Sequence, residues 1–175
     1  MISQYSSSRR RNVIHIMEKP AKTLAVIMQR SVTRNRWESV VWAPWSVLES
    51  DEASGEPRLL VDQPDVRQWF HPGFELAIHR DETEGYYLNV SSGSPRIFVL
   101  WRMDEENDRA IPLQISASYY EGGRWLDAGN SVDSVTMPPS IFAWVGEYVE
   151  KNYRPEPRKR IKPRSFVHPK DRVER

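Results

Sequence analysis

The sequence predicts a mainly β protein, an antiparallel small barrel or sandwich with one C-terminal helix. Three observations carry that expectation. Short apolar or alternating runs recur every eight to twelve residues, clusters of turn-forming residues separate them, and a single late stretch has helical spacing. A pleckstrin-like barrel shares this order of elements, and a sandwich fits it equally.

The elements read in order as follows. Residues 1–22 are Ser- and Arg-rich without sustained periodicity, a flexible basic lead-in. The single β-rich domain spans residues 23–153. It opens on Leu24-Ala25-Val26-Ile27-Met28, an unbroken apolar run suited to a strand buried on both faces. Trp37 to Leu48 reads as a second strand, and Pro44 within it implies an edge position or a bulge, because proline donates nothing to a ladder. After the Asp51–Pro57 loop comes a short Leu59-Leu60-Val61 strand.

Phe74, Leu76 and Ile78 alternate with polar neighbours, and Tyr86, Leu88 and Val90 repeat the pattern. With Asp81-Glu82-Thr83-Glu84-Gly85 between them, the expectation is a hairpin with an acidic tip. Ile97 to Trp101 is a continuous apolar strand, expected to be central. A charged loop, Asp104 to Arg109, leads to the alternating run Leu113 to Tyr120, which Gly122-Gly123 ends or turns. Val132 to Val135 is the last expected strand.

Pro138-Pro139-Ser140 is a helix entrance. Ile141, Val145, Tyr148 and Val149 then follow at helical spacing, and Glu147 and Lys151 stand four apart in the favourable order. Residues 154–175 are charged and proline-containing, and read as a basic extended tail.

Composition narrows the chemistry. The chain has no cysteine, which removes disulfides, thiolate zinc sites and cysteine nucleophiles, and suits a cytoplasmic, reducing compartment. Ser8-Arg9-Arg10-Arg11 resembles a twin-arginine signal, but the apolar stretch after it is too short for an export core. No run approaches the roughly 18 apolar residues of a membrane helix, so no membrane partner is expected. The net charge of +1 hides a strong asymmetry: +4 over residues 1–22, −10 over 23–150 and +7 over 151–175.

No catalytic constellation emerges, and no cofactor or metal is expected. His15, His71, His79 and His168 form no metal-ligand spacing, and His79 shares a polar strand face with Glu75. Ser91-Ser92-Gly93-Ser94 lacks the lysine and helix start of a phosphate loop. The Asn89-Val90-Ser91 sequon is expected to be accidental. Tryptophans at 37, 42 and 45 place bulk on both faces of the second strand unless a bulge at Pro44 resets its register.

The candidate partner-binding residues are Arg158, Lys159, Arg160, Lys162, Arg164 and Phe166 in the tail, and Asp81, Glu82 and Glu84 in the acidic cluster. The tail's apolar anchors favour a protein partner over nucleic acid, since the acidic body would repel phosphates.

Three stretches carry a family resemblance: Asn35-Arg36-Trp37-Glu38-Ser39-Val40, His79 to Asn89, and Val135 to Pro139 with Ala143-Trp144-Val145. From Leu24 to Phe166 the chain resembles an uncharacterised proteobacterial family, domain of unknown function 3305. Members are often encoded beside formate dehydrogenase subunits and accessory proteins, and some are labelled molybdopterin-guanine dinucleotide biosynthesis protein A. The resemblance implies a role near molybdenum- or tungsten-dependent formate dehydrogenase, with no active site to transfer. A guanylyltransferase needs an N-terminal glycine-rich phosphate loop on a parallel sheet, whereas no glycine precedes Gly55 here.

The functional expectation is therefore a non-enzymatic accessory or assembly protein that docks on a formate dehydrogenase subunit or maturation factor. The alternatives are a nucleic-acid-binding module using the basic tails and a small-ligand-binding β-barrel protein.

Overall fold

All five residues of the run Leu24 to Met28 are buried, with Ile27 the most exposed at 7%. The structure, a computed structural model, describes residues 19–34 and 39–155. In it the run lies inside β1 (Ala21–Val32), an inner strand of a four-stranded antiparallel sheet ordered β2-β1-β4-β3. The partners are β2 (Val40–Glu49), β3 (Arg58–Asp62) and β4 (Val66–Ala77). Leu24, Val26 and Met28 enter the main core. Ala25 and Ile27 join Phe70 on the other face, where the Arg58 guanidinium lies 4.2 Å from the Phe70 ring centroid. Burial on both faces explains the absence of alternation.

The second sheet is ordered β6-β5-β7, from β5 (Arg96–Asp104), β6 (Arg109–Ser116) and β7 (Ser131–Thr136). The expected central strand, Ile97 to Trp101, is central. The sheets face each other with β2 against β7 and β4 against β6, without pairing across those edges. The sandwich alternative therefore holds, and no closed barrel forms among the described residues.

Pro44 satisfies both readings of its strand. β2 is an edge, and its register jumps from Ile27↔Ser46 to Met28↔Pro44, leaving Trp45 unpaired as a bulge. The jump lets Trp42, Pro44 and Val47 all point inward, while Trp45 stays 59% exposed.

Three expectations are corrected. The acidic hairpin does not exist: β4 ends at Ala77, a 3-10 turn covers Arg80–Glu82, and Thr83–Val90 is a helix, α1. Its buried positions are Thr83, Gly85, Tyr86 and Asn89, and Leu88 is 41% exposed. The inward face thus carries polar groups with partners, and apolar alternation misreported it. Second, Gly122-Gly123 does not break a strand. It lies in α2 (Tyr119–Asp127), where Gly122 receives the Phe98 ring; an added Cβ would sit 2.7 Å from it. Third, β4 begins at Val66 and runs through Pro72-Gly73. A β1–β4 bulge and the end of β3 pairing at Phe70 accommodate those two residues. Gly73 has φ +85, and a Cβ there would meet the Ala53 carbonyl oxygen at 2.7 Å.

The expected helix is α3 (Pro139–Asn152), burying Ile141, Val145 and Val149 one turn apart. Each such side chain contributes about 1.5–3 kcal/mol. The Lys151–Glu147 pair forms at 2.6 Å. On one side of the sandwich α1 joins the end of β4 to the start of β5 and α3 follows β7, while α2 packs against Phe98 of β5 and crosses from the end of β6 back to the start of β7. The β5–β6 hairpin and the Arg30/Arg67 ends of β1 and β4 lie at the other.

Candidate functional site

The first candidate is the acidic cluster. Glu82 accepts hydrogen bonds from the buried Ser118 hydroxyl and from Arg124 (2.7 Å), and its side chain is 12% exposed. Ser118 Oγ in turn accepts from the backbone N–H groups of Tyr120 (3.1 Å) and Glu121 (3.3 Å), capping α2. Ser118-Tyr119-Tyr120-Glu121 has the spacing of a capping box, a sequence signal for this helix. Glu82 therefore ties α1 to α2. Asp81 and Glu84 remain on the surface, with Glu84 bonded to Tyr120.

A serine hydroxyl bonded to a carboxylate has the make-up of a nucleophile and its base. Ser118 is 0% exposed and already committed to three bonds, so no substrate reaches it.

Asn89 is buried as completely. Its carboxamide donates to the carbonyls of Arg96 (2.6 Å) and Ala117 (2.7 Å) and accepts from the Arg96 N–H (2.9 Å). It joins α1, β5 and the β6–α2 link, and a sequon asparagine so placed is closed to a glycan. Beside it, Tyr86 accepts from the His79 N–H at 3.0 Å. Burial pushes that phenol up to about 12, against the opposing effect of the backbone bond.

A cleft of about 410 Å³ opens between β4, β6 and α2, with Glu75, His79, Gln114, Glu121 and Trp125 on its walls. His79 lies past the end of β4 and so does not share a strand face with Glu75 as expected, though both line this cleft. Among the described residues no three His, Asp or Glu side chains come together to hold a metal ion.

The helical side carries two apolar grooves that meet at Phe142. One, of about 430 Å³, runs between α1 and α3 past Tyr87, Val90, Ala143 and Gly146. The other passes Pro95, Met137 and Pro139. Tyr87 stacks on Tyr153 with centroids 4.3 Å apart. The tail candidates Arg158, Lys159, Arg160, Lys162, Arg164 and Phe166 lie outside the described residues, as does Trp37.

At the opposite end, Arg30, Arg67, Arg109, Trp42 and Trp69, with Asn107 and Asp108, surround a pocket of about 390 Å³. Sequence reading missed it because its residues come from four strands and the β5–β6 loop; only the strand register and the packing of the sheets bring them together.

The family model for proteins of unknown function DUF3305 matches residues 23–162. The chain belongs to that family. No curated protein and no solved structure matches it. The DUF3305 match covers every described strand and helix except the first two residues of β1. No helix among the described residues is long and apolar enough to cross a membrane.

Proposed function

We propose that this DUF3305 protein is a non-enzymatic accessory protein that acts by docking on another protein. Its partner is a subunit of a molybdenum-dependent formate dehydrogenase or a factor that matures one. The observation that carries docking is the apolar surface of the helical side. Phe142 is 42% exposed and Tyr87 39%, both on the walls of the grooves that meet at Phe142.

Tyr153, stacked on Tyr87, lies within residues 151–175, the segment of net charge +7. The described chain thus reaches this groove at the start of a sequence rich in Lys and Arg, which suits an acidic partner surface around an apolar ridge. The formate dehydrogenase assignment is supported by the family resemblance alone.

Affinity purification from the native host tests the reading, using the full chain, a chain lacking residues 155–175, and Phe142→Asp. The expected result is enrichment of a formate dehydrogenase subunit or maturation factor by the full chain, reduced by both changes. Deletion of the gene with formate dehydrogenase activity and cofactor loading unchanged would overturn it. Nucleic-acid binding by the basic segments is the rival proposal, and absence of binding to mixed DNA and RNA at about 50 mM salt removes it.

A further inference from the structure

Arg30 on β1 faces Trp42 on β2 and Arg67 on β4 in direct cross-strand register. Residues so paired project from the same face of the sheet, here the face that carries Met28 and Trp42 toward the core. Two arginines therefore stand side by side. Arg109 reaches the same pocket from the other sheet, its guanidinium 4.6 Å from the Trp69 ring centroid. Like charges directly opposite in a sheet repel, and a third cation adds to that repulsion.

The protein offsets part of this charge: Asp108 also lines the pocket, and Asp104 stands opposite Arg109 in cross-strand register. Arg67 pairs with Asp62 at 2.8 Å. Among the described residues, no carboxylate stands within ion-pair distance of Arg30 or Arg109.

A second observation is independent of charge. Trp42 lines the pocket with its ring, is 9% exposed, and has its indole N–H closed to solvent without an acceptor, so a ligand would reach that N–H only if the ring turned. An indole N–H can only donate, and a buried donor without a partner is uncommon in native structures. Guanidiniums supply paired donors in the planar geometry that phosphate oxygens accept. Trp42 and Trp69 add flat apolar walls, and the volume lies within the range of small-molecule sites.

We propose that the pocket formed by Arg30, Arg67, Arg109, Trp42 and Trp69 binds the phosphate group of a small phosphorylated molecule. The phosphate lies among the three guanidiniums, and the organic part rests against the indoles. This site is at the far end of the sandwich from the grooves around Phe142, so docking and ligand binding stand or fall separately.

The full chain is titrated with inorganic phosphate and with phenyl phosphate, followed by calorimetry and by the indole N–H resonances in proton–nitrogen correlation spectra. Both ligands are expected to bind, phenyl phosphate more tightly because it adds ring contact. The Trp42 and Trp69 indole resonances are expected to shift. Arg30→Gln and Arg109→Gln should each weaken binding by about tenfold or more. Lys151→Gln, which removes the same charge from α3, should leave binding unchanged.

Three results overturn the proposal. One is no heat and no indole shift at about 10 mM of either ligand, a concentration that reveals even weak sites. Another is equal weakening by Lys151→Gln, which marks a diffuse charge effect. The third is much tighter binding of a mixed-sequence oligonucleotide, lost in Arg30→Gln, which makes the pocket part of a nucleic-acid surface.

Discussion

The Arg109 guanidinium stands 4.6 Å from the centre of the Trp69 ring and bears electrostatically on His71, two residues further along the same strand. His71 is 8% exposed and its Nε2 has no partner. Burial, and after it the charge of Arg109, lower its pKa to about 4. The imidazole is neutral at pH 7 and resists protonation in the folded state.

The consequence for stability has a definite sign. In the unfolded chain His71 takes up a proton near pH 6.5, whereas in the folded chain it does so only near pH 4. Stability is therefore lost as pH falls through that interval. Between pH 7 and 5 the loss is about 2 kcal/mol. Urea denaturation at the two pH values measures it, and His71→Phe should abolish most of the difference. Arg109→Gln should raise the His71 pKa seen by NMR while leaving it below 6.5, because burial is the larger cause.

The α1–α2 junction gives contrasting glycine outcomes. A Cβ on Gly85 would overlap the Ser118 hydroxyl, while one on Gly146 in α3 meets nothing within 4 Å. Gly85→Ala should cost about 1–3 kcal/mol through overpacking and loss of the cap. Gly146→Ala should stabilise by about 0.5–1 kcal/mol, from helix propensity and the reduced freedom of the unfolded chain. Thermal and urea unfolding of the pair reads both signs.

Asn89→Ala removes the three hydrogen bonds that join α1, β5 and the β6–α2 link, and leaves buried backbone groups unpaired. Loss of about 3 kcal/mol or more is expected. Asn89→Asp should be at least as damaging, since a carboxylate would face the two carbonyl oxygens that now accept from the amide. Amide exchange at the start of β5 should quicken in both variants.

The bulge in β2 separates two nearby tryptophans. Trp42 is a core side chain at 9% exposure, and Trp42→Ala should cost about 3–5 kcal/mol. Trp45, the unpaired bulge residue, is 59% exposed, and Trp45→Ser should change stability by about 0.5 kcal/mol or less. Comparable losses at both positions in urea denaturation would contradict the register described here.

Where burial and side-chain polarity agree, local pattern was enough. The run from Leu24 to Met28 marked a strand covered on both faces, Pro44 marked an edge or a bulge and sits at both, and Ile97 to Trp101 marked a central strand. Ile141, Val145 and Val149 marked the face of α3. In each case the side chains that leave water are apolar, so their spacing records the geometry.

The tertiary structure alone decided the rest. Thr83, Tyr86 and Asn89 turn inward in α1 because backbone groups satisfy their polar atoms: those of Arg80 and His79 just before the helix, of Arg96 just after it, and of the distant Ala117. No hydrophobic period can report a face of that kind. Gly122 serves a helix because Phe98, distant in sequence, fills the space above it. The pocket of Arg30, Arg67 and Arg109 exists only because strand register and sheet-on-sheet packing bring those residues to one place. Local sequence carries the sign of burial, whereas polar satisfaction depends on the folded path of the backbone, and charge convergence on contacts between segments far apart in the chain.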